Sequence, residues 1–138
     1  MLLLVAVLAA SASVRWSQEA ASAGPQGDRL ASDIRHMQTI SMTQGQRLEL
    51  DIPASSDRYH VRDLLGSIIS NPVTGQPYTV MLEPGTVLAG TNMEIDSLGR
   101  PVSGATLISA QTTYTLSAGG QSSTVAVAPV SGFVSVAP

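Results

Sequence analysis

The sequence predicts an α+β fold in which a long N-terminal helix, apolar at its start and amphipathic at its end, packs on an antiparallel β-sheet. Residues 1–14 carry no charge, and residues 28–44 place apolar side chains at helical spacing. The second half of the chain is rich in Ser, Thr, Gly and Val, which is typical of short strands joined by tight turns. A chain of 138 residues has room for one domain with a modest core.

The apolar N-terminal segment (MLLLVAVLAASASV) indicates contact with a membrane, because Arg15 and Trp16 follow it as a polar or interfacial edge. As a helix it is about 21 Å long, whereas the hydrocarbon core of a bilayer is roughly 30 Å thick, so it is too short to span alone. A cleaved secretory signal peptide is the alternative. Residues 10–12 (ASA) have the small-x-small cleavage pattern, although the basic n-region is missing.

The chain keeps a helix-forming composition over residues 14–44. The stretch 24–27 (GPQG) predicts a kink or a short interruption, after which Asp28 can cap a new start. Gly45 is suited to end the helix. An apolar stripe at helical spacing predicts one buried face, with polar residues beside or opposite it. The stripe consists of Leu30, Ile34, Met37, Ile40 and Ser41, and the polar residues are Asp33, Arg35, His36 and Gln38.

Alternating apolar and polar residues predict the strands. RLELDI (47–52) predicts a half-buried strand, and the following stretch, 54–77, is expected to be mostly irregular. Its last part, 67–77, is a plausible contact surface, although a solvated connection is the simpler interpretation. The rest of the chain is expected to form an antiparallel meander, with strands over 78–82, 86–89, 93–96, 112–117, 123–129 and 132–136.

The motif DSLGRP (96–101) carries the most specific local chemistry. Gly99 can adopt a positive φ without steric cost, and the Asp96 side chain can bond the backbone of a turn. Pro101 pushes Arg100 toward an extended conformation. The motif therefore predicts a corner between two strands and needs no ligand to explain it.

Composition excludes several classes of function. Cysteine is absent, which excludes disulfides, thiolate zinc sites and thiol nucleophiles. The net charge is −3, and seven scattered arginines without any lysine form no basic stripe, so nucleic acid is not an expected partner. The histidines His36 and His60 accompany no G-x-S-x-G elbow, and Asp51, Asp57 and Asp63 lack the spacing of a calcium loop. We expect a protein that is not an enzyme and that has no metal or cofactor.

The order of four stretches carries a family resemblance. MLLLVAVLAA is the hydrophobic helix, RLASDIRHMQTISMTQGQRLELDI leads from the helix end into the first strand, IDSLGRP precedes the late hairpins, and STVAVAPVSGFVSV closes the chain. In this order the chain resembles the type IV pilin-like superfamily. Within it, the chain is similar to the H-type (GspH-like) minor pseudopilins of type II secretion systems and to the MSHA-type minor pilins.

The resemblance implies a pilin-like fold and assembly without catalysis. The chain would be a minor pseudopilin or minor pilin subunit of a type II secretion or type IV pilus-like fibre, acting in protein export or adhesion. Residues 1–27 would form the apolar membrane or filament helix with its kinked extension, and residues 28–138 the globular pseudopilin domain. The turn motif that the resemblance marks consists of Asp96, Gly99, Arg100 and Pro101, and the helix-packing residues are Leu2, Leu3, Leu4, Val5, Val7 and Leu8.

The resemblance also implies where the protein acts and with what. It implies a single pass through the bacterial inner membrane, a globular domain in the periplasm, other pilins or pseudopilins as partners, and secreted proteins as possible substrates. Precursors in this superfamily have a short basic leader ending in Gly and then a sequence of the type Phe-Thr-Leu-Ile-Glu. We therefore expect the reading frame upstream of Met1 to encode such a leader, with Glu next to Met1. The alternative is a secreted β-rich binding or adhesive domain whose leader is cleaved near Ala12.

Overall fold

A computed structural model describes residues 23–138, which form one helix, α1, followed by ten short strands in two antiparallel sheets. Helix α1 spans Ala23–Gln44. The strands are β1 (Leu48–Asp51), β2 (Arg58–Asp63), β3 (Thr79–Met81), β4 (Val87–Ala89), β5 (Met93–Ile95), β6 (Pro101–Ser103), β7 (Thr106–Leu107), β8 (Thr112–Ala118), β9 (Gln121–Val127) and β10 (Val134–Ala137).

Helix α1 has no interruption between its first and last residue. The short interruption expected over residues 24–27 is therefore absent, and Asp28 lies inside the helix, where it caps no new start. The expected kink stays a prediction. Gly27 faces the second sheet, and a Cβ at this position would overlap the Ser123 side chain. Its missing side chain is what lets the helix approach β9 closely.

The C-terminal end of α1 is the one that the sequence predicts. Gly45 follows the helix with a φ of 64°, a left-handed conformation that glycine adopts without a Cβ clash. The Gln46 N–H donates back to the Ser41 carbonyl at 3.2 Å, which is the bond of a Schellman motif. The chain therefore leaves the helix at a defined angle and enters β1 two residues later.

The predicted apolar stripe of α1 is buried, as expected. The helix packs against β8, β9, β10 and β1. Its buried side chains form one hydrophobic core with the sheets, and the three tyrosines of the chain belong to that core. The buried stripe consists of Leu30, Ala31, Ile34, Met37, Ile40 and Ser41, and the tyrosines are Tyr59, Tyr78 and Tyr114.

Two sheets take the place of the single expected meander. The six-stranded sheet has the order β3-β2-β1-β5-β6-β7, and the four-stranded sheet has the order β10-β9-β8-β4. Strands β8, β9 and β10 form the meander that the sequence predicts, and Gly119 and Gly120 both have a positive φ in the hairpin between the first two. Strand β4 joins this sheet by pairing with β8, while β5, β6 and β7 belong to the other sheet.

The stretch 54–77 is mostly irregular, as its composition predicts, apart from one strand. This strand, β2, pairs over residues 60–63 with β1 and over residues 58–60 with β3. Tyr59 and Val61 are buried on one face of this strand, while His60 and Arg62 lie on the other. The alternation was present in the sequence, but charged residues on three of its six positions hid it.

Candidate interaction surface

The corner at 96–101 is a turn between β5 and β6. Gly99 has a φ of 79°, as a corner requires. One carboxylate oxygen of Asp96 accepts the N–H groups of Leu98 at 3.0 Å and Arg100 at 2.9 Å. The other oxygen accepts from the Arg100 guanidinium at 2.8 Å. Pro101 follows as the first residue of β6, so the four predicted turn residues lie together.

Both oxygens of the Asp96 carboxylate are bonded to groups of the same turn. Burial acts to raise its pKa, but the hydrogen bonds from the Arg100 N–H, the Arg100 guanidinium and the Leu98 N–H outweigh burial and hold the pKa below its usual value. The carboxylate therefore stays charged at neutral pH while both of its oxygens are occupied by the turn. Asp96 therefore stabilises the turn at the corner.

Two polar side chains of α1 hold the corner against the helix. The Ser41 hydroxyl donates to the Asp96 carbonyl at 2.8 Å. The Gln38 amide donates to the Gly99 carbonyl at 3.0 Å and to the Gly132 carbonyl at 2.7 Å. Gln38 thus connects the corner to the segment between β9 and β10. All three acceptors are main-chain carbonyls.

A groove of about 450 Å³ lies between α1, the corner and the β9–β10 connection (128–133), and we call it the corner groove. Its rim is apolar, because Met42, Leu98 and Phe133 are 52%, 63% and 70% exposed. Arg35 is the only charged residue among the described residues that line it. The Arg35 guanidinium donates to the Val134 carbonyl at 2.9 Å, and within residues 23–138 no carboxylate pairs with it.

A second polar cluster joins the other side of α1 to the six-stranded sheet. The hydroxyls of Tyr59 and Tyr78 each donate to one carboxylate oxygen of Asp33, and His36 Nδ1 lies 3.0 Å from the Tyr78 hydroxyl. Burial, and after it the charge of Asp33, raises the pKa of both tyrosines. The two phenols stay protonated and act as donors, so the cluster anchors the helix.

The described residues bring together no assembly that resembles a catalytic or metal centre. His36 contacts Tyr78, while His60 Nδ1 lies 2.9 Å from the Thr79 hydroxyl on β3. Over residues 23–138, no three side chains of the His, Asp and Glu types are placed to hold a metal ion. The corner groove, with its apolar rim, is a candidate surface for contact with another molecule.

No protein-family model matches the sequence, and no curated protein matches it significantly. Solved structures do match the fold. The minor pseudopilin EpsH from the type II secretion system of Vibrio cholerae is 12% identical, with a TM-score of 0.59 over 84% of this chain and 96% of that chain. The type IV minor pilin FimU of Pseudomonas aeruginosa is 10% identical, with a TM-score of 0.60 over 81% of this chain and 85% of that chain.

This chain has a type IV pilin-like fold. A second crystal structure of EpsH supports the assignment, with 13% identity and a TM-score of 0.56 over 85% of this chain and 94% of that chain. The predicted α+β class and the predicted resemblance are thereby confirmed, and at these identities the likeness concerns the fold.

The described part of the pilin-like fold does not include every predicted residue. The apolar helix-packing residues lie outside the described residues; they are Leu2, Leu3, Leu4, Val5, Val7 and Leu8. Over residues 23–138, no helix combines the length and the apolar character that a membrane crossing needs. The loop 67–77 is largely exposed, with Val73 at its surface, and it makes isolated bridges at Ile68 and between Ser70 and Pro77.

The sequence did not predict which side chains of α1 bond to distant loops of the pilin-like domain. The helical pattern places Arg35 and Gln38 on the polar side of α1, and no local signal assigns them partners. Those partners are carbonyls at Gly132 and Val134, which lie 94 and 99 residues further along the chain. A contact from a side chain to a distant carbonyl leaves no trace in the residue types of the partner segment.

Proposed function

We propose that the chain is a minor pseudopilin or minor pilin subunit of a type II secretion or type IV pilus-like fibre. The observation that carries the proposal is the way α1 is fixed across both sheets. EpsH and FimU match the fold that includes this helix over 84% and 81% of the chain, which supports the proposal. A helix fixed in this way carries any force on its N-terminal end directly into the globular domain.

In the proposed role, the apolar N-terminal segment supplies the assembly energy. The apolar part of residues 1–27 holds the subunit in the bacterial inner membrane and then packs against the helices of neighbouring subunits, while residues 23–27 pack against the globular domain in the periplasm. Each well-buried leucine or valine contributes roughly 1.5–3 kcal/mol, so a few contacts suffice for association. Alanines at 6, 9 and 10 let neighbouring helices approach closely.

In the proposed role, the subunit works through contacts with other proteins and needs no catalytic group. The polar clusters of α1 hold the helix, and the exposed corner groove faces outward, where sister pilins, pseudopilins or a secreted protein can reach it. The subunit then acts through the neighbouring proteins that it binds in the fibre.

Photo-crosslinking in the bacterium that encodes the chain tests this role. A photo-reactive amino acid at Leu4 is expected to capture other pilin-type proteins, identified by mass spectrometry, and the full chain is expected in the inner-membrane fraction. The same amino acid at Ala105, an exposed position on the β6–β7 turn, is the matched control. A protein found in the soluble fraction with Ser13 as its first residue would refute the role and favour a secreted β-rich binding domain.

A further inference from the structure

The outer edge of β10 is open in the four-stranded sheet. This strand lies at one end of the order β10-β9-β8-β4, and no strand within residues 23–138 lies on its other side. The strand at the opposite end, β4, is covered, because the Leu88 N–H donates to the Ser56 carbonyl at 2.9 Å. An uncovered edge presents main-chain groups with which a strand of another chain can pair.

The register of β10 determines which of its main-chain groups point outward. The Ala128 N–H donates to the Phe133 carbonyl at 2.8 Å, in the same register that pairs β9 with β10. Hydrogen-bonded and non-hydrogen-bonded pairs alternate in an antiparallel ladder, so Val134 and Val136 direct their N–H and C=O groups away from β9. The Arg35 guanidinium agrees with this direction, since it donates to the Val134 carbonyl at 2.9 Å.

The charge beside this open edge is positive. Arg35 is exposed and uses one terminal nitrogen of its guanidinium for the Val134 carbonyl. Within residues 23–138, no carboxylate pairs with Arg35. Phe133 and Val134 line the corner groove, so the open edge begins where the groove ends. A strand added to β10 would therefore leave an apolar groove and pass a guanidinium that can still bind a carboxylate.

The two faces of β10 determine where an acidic side chain of an added strand would lie. Val134 and Val136 pack against the core on the side of α1, whereas Ser135 is exposed on the other face. Residues directly opposite each other on neighbouring strands share a face, with Cβ atoms about 4.5–5.5 Å apart. A residue opposite Val134 would thus lie on the side of α1, which carries Arg35.

We propose that β10 receives an extended segment of a different pilin-type subunit as an added strand, with an Asp or Glu opposite Val134 and bound to Arg35. The inference deepens the proposed function and rests on it, because the neighbours of a minor subunit are other pilins or pseudopilins. Main-chain hydrogen bonds to Val134 and Val136 supply affinity. The acidic side chain, and an apolar side chain in the corner groove, supply specificity.

Photo-crosslinking in the bacterium that encodes the chain tests the added strand. A photo-reactive amino acid at Ser135 is expected to capture another pilin-type subunit. Mass spectrometry of the product is expected to place the crosslink in one short segment that carries an Asp or Glu. The same amino acid at Ser117 is the matched control, because Ser117 is an exposed serine on the same face, two strands from the edge. The control is expected to give several-fold less of this product.

Two substitutions at one position separate strand addition from packing. Val136→Pro removes the outward N–H without removing a bond to β9, and it is expected to lower the Ser135 crosslink several-fold. Val136→Ala shortens the side chain but keeps the N–H, and it is expected to leave the yield near that of the natural chain. Circular dichroism of the purified variants in mild detergent shows whether each is folded.

Charge variants test the acidic residue of the partner. Arg35→Gln is expected to lower the Ser135 crosslink several-fold. Arg29→Gln changes an exposed arginine of the same helix outside the groove and is expected to leave the yield unchanged. Arg35→Glu is expected to abolish the crosslink, and replacing the acid of the captured segment by Arg is expected to restore it.

Several results would overturn the inference. They are equal yields from Ser135 and Ser117, equal effects of Val136→Pro and Val136→Ala, and an unchanged yield with Arg35→Gln. A second copy of this chain or a secreted protein as the main captured partner would overturn it as well. If Leu4 still captures pilin-type neighbours in these cases, only this inference fails; if Leu4 captures none, the proposed function fails.

Discussion

Replacing Gln38 is expected to loosen the corner from helix α1. Its amide donates to the carbonyls of Gly99 and Gly132 at 3.0 and 2.7 Å, and both of these residues are buried. Gln38→Met keeps the length of the side chain and removes both donors. Each lost hydrogen bond costs about 0.5–1.5 kcal/mol, so the variant is expected to lose about 2 kcal/mol of unfolding free energy. For a domain of this size, that loss lowers Tm by roughly 8 °C.

Thermal unfolding of the full chain in mild detergent, followed by circular dichroism, measures this loss. Thr39→Ala is the matched control, because the Thr39 hydroxyl is exposed and, within residues 23–138, donates to the Arg35 carbonyl one turn back. Gln38→Glu is expected to cost more than Gln38→Met, since a carboxylate would face two carbonyl oxygens. A Gln38→Met variant with the Tm of the natural chain would refute the reasoning, because it would mean that water satisfies both carbonyls equally well.

Further outcomes are expected from unfolding experiments on other variants. Gly99→Val should cost about 1 kcal/mol or more because of the positive φ. Arg100→Ala should cost about 1–3 kcal/mol because it leaves Asp96 Oδ2 without its guanidinium donor; loss of assembly by Arg100→Ala at unchanged Tm would instead make the corner a contact site. The depressed pKa of Asp96 stabilises the fold above the ordinary carboxyl pKa of 3.8, and acid titration should remove that stability as the pH falls below it, less so in Asp96→Asn. Asp33→Ala leaves two tyrosine hydroxyls without their acceptor and should cost about 1–3 kcal/mol, while Asp28→Ala, an exposed change on the same helix, should cost little.

Local periodicity predicted the parts of the fold that depend on local geometry. The stripe of α1 was predictable because a helix places every third or fourth residue on one face. The stop at Gly45 was predictable because a left-handed residue after a helix favours glycine. The corner at 96–101 was predictable because Gly99 suits a positive φ and because its turn bonds join residues at most four positions apart.

Long-range pairing accounts for what the sequence did not predict. Strand β6 is a separate case, because it begins with Pro101 and its three residues are too few to show an alternating pattern. The crossing of β4 to the other sheet depends on which partner strand is available, and no local pattern encodes that. The corner groove likewise arises from three segments that are far apart in the chain, so its residues share no motif.

The hydrogen bonds from α1 to distant loops bear on how pilin-like chains can diverge in sequence. Ser41, Gln38 and Arg35 each donate to a main-chain carbonyl, at Asp96, at Gly99 and Gly132, and at Val134. A main-chain carbonyl is present in every residue type, so α1 can bind the backbone of these loops whatever side chains they carry. Loop sequences can therefore drift toward new partners while their attachment persists, a freedom compatible with a shared fold at 10–13% identity.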